Sequence, residues 1–435
     1  LTDLKLRADY GVIGNQNGIG RYSGYQTWSY SATGYTTPGS YSPAGWKLSQ
    51  NGFTTPLTWE KKKTVDVGLD FRLWDRFYGT MDWYQTNTDD VAWNAPISYA
   101  MSGQTTLAAN SARMRTRGFE LELGVDIIKT PNTLWSFNVN GSTYYTTILE
   151  VPEGTGSAQL NGCWTAPADA WSIAGTGGTS NNITYLRGIG KPYYNMYIYK
   201  YGGVDPASGL PLIASTVSST NIDNLKKTSG NVYGDIVEGN TVYTTDYTLA
   251  TRQEFGDATP DFIGGFGTSL KWKNLDFSAQ FAFQIGGKFL SVADANHYYR
   301  SDQTGYYHMS ADLKGNTFTA SNTGARYPMV ILNNPNSNGY TGGSTIGSWA
   351  YTDMALYSAS YLNVKNLTLG YNFPQKWMDK IGIGGIRVYA SFDNFWMLTT
   401  HKGIDPRMSL VGGMDVGAMA YPYMRTCSLG VNVTF

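Results

Sequence analysis

Residues 426–435, Thr-Cys-Ser-Leu-Gly-Val-Asn-Val-Thr-Phe, close the sequence and alternate without a break. Successive side chains of a strand point to opposite faces, so the odd-numbered residues share one face and the even-numbered residues share the other. The first face is apolar and ends on an aromatic, with Cys427, Leu429, Val431, Val433 and Phe435. The second face is small and polar. A strand of this kind is typical of a transmembrane β-barrel, which has lipid outside and a polar lumen inside.

Composition supports a β-structure and gives no indication of a nucleic-acid partner. Lys+Arg and Asp+Glu number 32 each in 435 residues, so the net charge is zero. Charged residues make up 15%, against roughly 25% in a typical soluble domain, while 33 Tyr, 13 Trp and 51 Gly favour strands and turns. No apolar run approaches the roughly 18 residues of a membrane-spanning helix. We expect Cys163 and Cys427 to be free thiols.

Period-two segments separated by turn residues predict about twelve strands. They lie near residues 3–14, 58–73, 76–93, 112–129, 132–148, 182–190, 193–203, 258–272, 275–290, 357–373, 385–398 and 422–435. The pattern is weaker at 182–190 and 193–203, which are included partly because they keep the strand directions consistent.

The predicted connections alternate between short and long, which favours a barrel over a soluble sandwich. Tight turns near 73–76, 129–132, 190–192 and 272–275 alternate with connections of about twenty to more than sixty residues. This is the pattern of an antiparallel transmembrane barrel with short periplasmic turns and long extracellular loops. The last strand then ends at the periplasm with Phe435, which we interpret as a residue for barrel assembly.

Acidic residues in mid-strand positions predict a wide lumen. They alternate with apolar neighbours and therefore must face water: Asp66, Asp70, Glu120, Glu122, Asp126 and Asp276. An eight-stranded barrel fills its interior with side chains, and only larger barrels leave room for water or a plug.

Seven segments, in order along the whole chain, resemble conserved blocks of the SusC-like TonB-dependent transporters of Bacteroidetes outer membranes. They are 4–16 (LKLRADYGVIGNQ), 57–70, 190–209, 260–267 (PDFIGGFG), 361–374 (YLNVKNLTLGYNFP), 393–406 and 421–435. One departure matters. The family often carries an acidic DxNGDGxI run before the fourth of these segments, but residues 221–257 have none, so no metal site is carried over.

The resemblance implies a 22-stranded plugged barrel of which residues 1–435 form the C-terminal part, with the plug and the first strands absent. It implies an outer-membrane importer of oligosaccharides or oligopeptides, with loops on the cell surface, no enzymatic activity and no cofactor. The implied partners are a SusD-like lipoprotein, TonB acting through the missing N-terminal part, outer-membrane lipid and the rest of the same transporter, in a dimer of SusC–SusD pairs. A non-transporting surface receptor or adhesin and a secreted soluble β-enzyme are the alternatives.

Aromatic residues crowd the predicted long loops and are the candidate contacts for substrate or partner. They are Tyr22, Tyr25, Trp28, Tyr30, Tyr35, Tyr41 and Trp46 in the first loop, with Trp164, Trp171, Tyr298, Tyr299, Tyr306 and Tyr307 in later ones. Tyr and Trp combine an apolar face with a polar edge, which suits sugar rings and extended peptides. We favour packing within the loop or against a partner protein over direct contact with substrate.

Other polar and aromatic residues receive structural interpretations. Trp residues near strand ends predict an interfacial girdle: Trp59, Trp74, Trp83, Trp135, Trp272 and Trp377. His297, His308 and His401 lack the spacing of metal ligands. Asp89 and Asp90 are adjacent in a strand and face opposite ways, so a shared proton is not expected. No catalytic motif or phosphate-binding glycine loop is present.

Overall fold

The computed structural model describes residues 2–16, 28–31, 45–48, 57–96, 106–152, 159–160, 163–167, 184–216, 232–237, 241–245, 250–291, 294–295, 310–329, 352–407, 410–411, 414–415 and 423–435. Its main feature is a ten-stranded sheet. The strands, in chain order and in sheet order, are β1 (Asp3–Asn15), β2 (Glu60–Leu73), β3 (Phe77–Pro96), β4 (Thr106–Thr130), β5 (Thr133–Glu150), β6 (Pro260–Trp272), β7 (Leu275–Gly286), β8 (Tyr361–Asn372), β9 (Gly385–Thr399) and β10 (Thr426–Thr434).

Every neighbouring pair in this sheet is antiparallel. The shortest strand has 9 residues, and a membrane-crossing strand needs about 9–11. The sheet is open, with β1 and β10 as its edges, so it forms part of a barrel wall. Among the described residues, no helix is long and apolar enough to span a membrane.

The connections place all tight turns at one end of the sheet. At this short-turn end, residues 74–76, 131–132 and 273–274 join β2–β3, β4–β5 and β6–β7, and β8–β9 are joined through a short helix, Gln375–Met378. Trp74, Asp75 and Lys273 have positive φ angles of 52°, 55° and 51°, which the tight reversals require. At the opposite, long-loop end, residues 151–259 join β5 to β6 and residues 287–360 join β7 to β8.

The pairing register gives the sheet one apolar face and one polar face. On the apolar face Leu6, Leu69, Met81 and Leu121 lie side by side across β1–β4. The same face continues to the other edge through Trp135, Leu270, Phe277, Leu369, Ala390 and Leu429. Many of these side chains are exposed, which is what the lipid-facing surface of a barrel requires. All six tryptophans predicted as a girdle are at least 38% exposed.

The prediction of twelve barrel strands is wrong at two positions. Residues 182–190 and 193–203 do contain strands, Thr184–Gly188 and Asn195–Tyr199, but β5 pairs directly with β6 and leaves them outside the ten-stranded sheet. They are too short to cross a membrane. Consecutive residues are also buried, such as Tyr185 with Leu186, so these strands lack one lipid-facing side and one water-facing side. Removing two consecutive strands from an antiparallel sheet leaves the up-and-down order of the others as it was. The predicted directions of the ten remaining strands are therefore unchanged.

The predicted connection at 91–111 is also shorter than expected. Strands β3 and β4 have 20 and 25 residues and continue their pairing as far as Pro96 and Thr106. Only residues 97–105 separate them, so this hairpin extends beyond the height at which the other strands of the sheet end.

The long connections contain smaller sheets. A five-stranded sheet comprises Gln159–Leu160, Cys163–Pro167, Thr184–Gly188, Asn195–Tyr199 and Arg252–Asp257, and a four-stranded sheet comprises Tyr201–Val204, Pro211–Thr216, Val232–Val237 and Thr241–Thr244. Another joins Lys288–Leu290, Leu356–Ser358, Leu410–Val411 and Met414–Asp415, and a two-stranded one joins Trp28–Ser31 to Gly45–Leu48. Two 3₁₀ helices span Ala311–Leu313 and Asp353–Ala355.

Candidate functional site: the polar wall and the loop assembly

The polar face of the sheet carries the mid-strand acids that the sequence predicted to face a lumen. The register places Asp66, Asp70, Glu120, Glu122, Asp126 and Asp276 together on this face. It also carries the amides and hydroxyls of β5–β8, including Asn138, Asn140, Ser269, Gln280 and Asn366. The register therefore confirms that these residues share the face opposite the apolar one, and the lumen in front of this face stays a prediction.

An arginine ties three strands together at the β1 edge of this wall. Arg7 on β1 donates from Nε and Nη2 to the two carboxylate oxygens of Asp70, at 3.0 Å each, and from Nη2 to Asp82 on β3 at 2.8 Å. The contact with Asp82 passes over β2 at Gly68, where an added Cβ would lie 2.7 Å from Arg7 Nη2. The glycine therefore leaves the space in which the ion pair forms.

A cavity of about 510 Å³ opens on the polar wall next to this arginine. Its lining includes Asp82, Glu120 and Glu122, together with the neutral side chains of Asn140, Ser142, Gln284 and Tyr361. Within the described part of the chain, no cation forms an ion pair with Glu120 or Glu122. The cavity thus offers hydrogen-bond acceptors and negative charge to whatever lies against the wall.

The long connections pack together at the long-loop end instead of standing apart. We call residues 184–216, 250–259, 287–291, 294–295, 310–329 and 352–360 the loop assembly. Its apolar core brings Tyr185, Met196 and Ile198 of one connection against Leu290 and Tyr327 of the other, and each of the five is at most 2% exposed. A core of fully buried side chains gives these loops a defined structure.

The loop assembly is attached to the end of β5. Ile148 donates its backbone N–H to the carbonyl of Lys191 at 3.0 Å, and Gly190 donates to the carbonyl of Ile148 at 2.9 Å. Nearby, Lys191 Nζ lies 2.8 and 2.7 Å from the two carboxylate oxygens of Glu254. This contact lowers the pKa of the Glu254 carboxyl below its ordinary value, against the opposing effect of partial burial.

A second carboxyl of the loop assembly, that of Asp353, has a raised pKa instead of a lowered one. Asp353 Oδ1 accepts a hydrogen bond from the backbone N–H of Tyr201 at 2.7 Å. Burial raises the pKa of Asp353, because backbone hydrogen bonds and the nearby Lys200 only partly offset the loss of water around the charged form. Burial likewise raises the pKa of the Tyr201 hydroxyl, which donates to the carbonyl of Arg326.

Arg187 is a structural residue of the loop assembly that the sequence did not single out. It is 5% exposed, lies over the ring of Tyr193 at 3.9 Å from guanidinium carbon to ring centroid, and donates to the carbonyl of Tyr193 at 3.2 Å. Tyr185 and Trp93 also flank the guanidinium. The adjacent aromatics Tyr193 and Tyr194 were the one sequence feature that pointed to a site for a cation here. Only the fold shows that Arg187 is the cation that packs against them.

Few of the predicted loop aromatics fall within the described residues. Trp28 and Tyr30 lie in a two-stranded ladder in which Tyr30 is the register partner of Trp46, and Trp164 is the register partner of Arg187. The others lie outside the described residues: Tyr22, Tyr25, Tyr35, Tyr41, Trp171, Tyr298, Tyr299, Tyr306 and Tyr307. Their role as substrate or partner contacts stays a prediction.

Of the three histidines, the structure describes His401 and gives it two partners. His401 Nε2 lies 2.6 Å from Asp294 Oδ2, and its ring stacks on Tyr357 at 3.7 Å between centroids. His297 and His308 lie outside the described residues, and the described ones contain no group of three His, Cys, Asp or Glu that could hold a metal. Cys427 is a free, exposed thiol, while the side chain of Cys163 is not described.

The adjacent acids Asp89 and Asp90 have separate cationic partners, but these partners, Lys63 and Lys61, lie on one face of β2, so the prediction that the two acids face opposite ways is wrong. Asp89 contacts Lys63 at 2.8 Å and Arg113 at 3.1 Å, and Asp90 contacts Lys61 at 2.8 Å. Asp90 has a positive φ of 59° where the β3–β4 register shifts. At the far edge of the sheet, the terminal Phe435 is 95% exposed.

Comparison with known proteins agrees with this architecture. Residues 1–209 match the family described as TonB dependent receptor-like, beta-barrel. The whole chain aligns with TonB-dependent receptor P3 of Formosa agariphila at 26% identity and with TonB-dependent receptor SusC of Bacteroides thetaiotaomicron at 25%. It covers 40% and 38% of these two proteins, so it spans about two fifths of the length of the curated relatives it matches.

A solved structure shares the fold over the full chain. The RagAB peptide transporter superposes with a TM-score of 0.68 at 23% identity, covering 100% of this chain and 41% of the matched one. The apolar and polar faces of the sheet, the family match and the two full-length alignments agree with one another. The first 209 residues therefore match the TonB-dependent receptor β-barrel family, and the chain as a whole is similar to the receptor SusC.

Proposed function

We propose that the chain forms part of the barrel of a TonB-dependent importer that carries large nutrients across an outer membrane. The observation that carries this proposal is the continuous polar wall behind a lipid-facing surface, with an ordered loop assembly at one end only. A polar wall of ten strands, more than an eight-stranded barrel contains, suits a wide lumen through which hydrated molecules move once a plug rearranges.

In this proposal the long-loop end faces the cell exterior and the short-turn end faces the periplasm. The loop assembly then receives a SusD-like lipoprotein, and two such pairs form a dimer. TonB acts through a plug supplied by the remaining part of the transporter. The chain itself performs no chemistry and supplies the lumen wall and the surface that meets the partner.

The proposed cargo is an oligopeptide or an oligosaccharide. RagAB, which shares the fold, is described as a peptide transporter. The cavity beside Asp82, Glu120 and Glu122 favours cargo or plug groups that donate hydrogen bonds or carry positive charge. Both peptides and sugars supply hydrogen-bond donors, so an uptake measurement is needed to distinguish the two cargo classes.

Uptake by intact cells tests the proposal. Cells with and without the gene for the full-length transporter are given fluorescent oligopeptides and oligosaccharides, before and after a protonophore collapses the inner-membrane gradient. We expect gene-dependent, gradient-dependent entry of one cargo class. Cargo that binds the surface without entering, with or without the gradient, would instead support a receptor or adhesin.

The loop aromatics are proposed as contacts with the lipoprotein partner or the cargo. The ladder that pairs Tyr30 with Trp46 also pairs Ser29 with Lys47, which supplies a matched control in the same two strands. We expect Tyr30→Ala/Trp46→Ala to weaken retention of the lipoprotein or binding of cargo, measured by co-purification and by titration. Equal behaviour of Ser29→Ala/Lys47→Ala would show that the ladder, and not its aromatics, is required.

A further inference from the structure

The lipid-facing side of β2–β4 changes abruptly from apolar to cationic toward the long-loop end. Val67, Trp83 and Phe119 are register neighbours in the last fully apolar row. The next row contains Val65, Gln85 and Arg117. The row beyond it contains Lys63, Asn87 and Arg115. After that row Lys61 pairs with Asp89, and Arg113 contacts Asp89 at 3.1 Å where the β3–β4 register shifts. We call the five cations Lys61, Lys63, Arg113, Arg115 and Arg117 the cationic belt.

These cations lie on the outer side of the barrel, not in its lumen. Each is an even number of residues from an apolar residue of its own strand, and β2–β4 are interior strands of the sheet with neighbours on both sides. Lys61, Lys63 and Arg113 have side chains 53%, 44% and 51% exposed. A cation is costly on the lipid face at mid-membrane but costs close to nothing at the membrane boundary, so the belt marks that boundary.

The acids of this surface pair with only part of the belt. Lys63 and Arg113 share Asp89, Lys61 contacts Asp90, and Arg113 also lies 3.6 Å from Glu150. The three acids Asp89, Asp90 and Glu150 face the five cations of the belt. These eight residues together have a formal charge of +2.

The two uncompensated cations are Arg115 and Arg117. Arg115 Nε donates to Asn87 Oδ1 at 3.1 Å, and Arg117 Nε donates to Gln85 Oε1 at 2.8 Å. Both acceptors are neutral amides, so they orient the guanidinium groups without neutralising them. Neither arginine forms an ion pair with any residue that the structure describes. A guanidinium held by its Nε still presents its Nη groups, whose geometry matches two oxygens of a phosphate.

We propose that Arg115 and Arg117 bind the phosphate of an anionic membrane lipid in the leaflet at the long-loop end. Its acyl chains would lie along the apolar rows directly below, beginning at Val67, Trp83 and Phe119. Continuity favours a lipid over a soluble ligand, because the cations and the apolar rows form one surface on the same three strands. This lipid site does not depend on what the barrel transports. A negative lipid-binding result would leave the proposed import function unaffected, and a negative uptake result would leave the lipid site unaffected.

Lipid retention by the purified full-length transporter tests this site. The probes are dioleoylphosphatidylglycerol and dioleoylphosphatidylcholine, which have the same chains and differ in headgroup, with binding measured by native mass spectrometry in detergent. Arg115→Gln/Arg117→Gln should weaken binding of the anionic lipid by roughly 30-fold, since each cation near a membrane surface contributes a factor of about five. Binding of the zwitterionic lipid should be unchanged.

The matched control removes two cations at the opposite boundary of the same wall. Arg76 lies exposed in the β2–β3 turn and Lys273 lies in the β6–β7 turn, both at the short-turn end. Arg76→Gln/Lys273→Gln should keep the anionic preference of the wild type. The proposal is overturned if both double variants lose the preference equally, or if neither does. Displacement of the lipid by millimolar inorganic phosphate would overturn it as well, since the site would then select a free anion.

Discussion

Arg387 on β9 reaches over Gly370 on β8 to form an ion pair with Asp276 on β7. The guanidinium donates from Nη2 to Asp276 Oδ2 at 2.6 Å and from Nε to Oδ1 at 3.3 Å. A Cβ at Gly370 would lie 2.5 Å from Arg387 Nη2 and 2.5 Å from Asp276 Oδ2. The same arrangement occurs on the same polar face near the opposite edge of the sheet, where Arg7 reaches over Gly68 to Asp82. A glycine in the middle strand thus allows a charge contact across three strands.

Gly68→Ala should destabilise the wall only while Arg7 is present. The new Cβ would lie 2.2 Å from Asp82 Oδ1 and 2.7 Å from Arg7 Nη2, so the ion pair must separate, whereas without Arg7 no residue that the structure describes holds the Asp82 side chain over Gly68. With Arg7→Gln in place, the same change should be neutral or stabilising by up to about 1 kcal/mol, because alanine suits a strand interior better than glycine. Urea unfolding of the full-length transporter in vesicles measures both effects.

Gly11→Ala is the control for that experiment, since no atom lies within 4 Å of a Cβ at Gly11. It should be neutral or slightly stabilising in either background. If Gly68→Ala has the same effect with and without Arg7, the space over Gly68 does not serve the ion pair.

Gly430→Ala should loosen the last strand from its neighbour. Tyr389 on β9 is the register partner of Gly430 on β10, and its ring would lie 2.3 Å from the added Cβ. An aromatic ring cannot yield as a flexible side chain does, so we expect a loss of about 1–3 kcal/mol in unfolding free energy. Tyr389→Ser should make Gly430→Ala harmless. A large effect that persists without the ring would place its cause in the backbone.

Two carboxyls of the loop assembly should respond to pH in opposite directions. Lys191 lowers the pKa of Glu254, so its stabilising contribution is complete above the ordinary carboxyl pKa of 4.5 and is lost as the pH falls through the lowered value. Hydrogen-exchange protection of residues 195–216, measured relative to the unstructured chain at the same pH, should therefore fall in acid, and Glu254→Gln should reduce that change. An unaltered acid response in the variant would contradict the assignment.

Asp353 has a raised pKa, and the sign of its effect is reversed. Its contribution to stability is greatest below its ordinary pKa of 3.8 and declines as the pH rises through the raised value, because the buried group must then become charged. Asp353→Asn keeps an oxygen acceptor for the Tyr201 N–H without a charge. The variant should match or exceed the wild type in protection of the Tyr201 amide at pH 7. Lower protection at pH 7 would show that the charge stabilises this turn.

Phe435→Ser should impair barrel assembly more than stability. The side chain is 95% exposed, so its loss should change the unfolding free energy by less than about 0.5 kcal/mol. The amount of full-length transporter that reaches the outer membrane should nevertheless fall. Leu429→Ser, on the same face of β10 and 83% exposed, is the control. An equal loss of membrane-inserted protein from both variants would remove any special role for the terminal aromatic.

Alternation was a sufficient signal wherever a strand has one apolar and one polar face. Strands β2, β4 and β7 could be predicted for that reason, as could the lumen-facing side of Asp70, Glu120 and Asp276. The same rule misassigned residues 182–203, because alternation alone does not distinguish a strand in a barrel wall from a strand buried in a small core. Burial of Tyr185 and Leu186 on consecutive positions is a property of the folded loop assembly.

The sequence by itself determined the fold class, the two faces of the strands and the direction of each strand, because these depend on residues adjacent along the chain. The tertiary structure decided which strands are neighbours and which loops share a core. Arg7 and Asp82 are 75 residues apart in sequence, and Arg387 and Asp276 are 111 apart. Pairing register sets such contacts. A tight turn fixes the register of the two strands that it joins, but β1 with β2 and β7 with β8 are joined by long connections, so their register depends on the packing of the whole sheet.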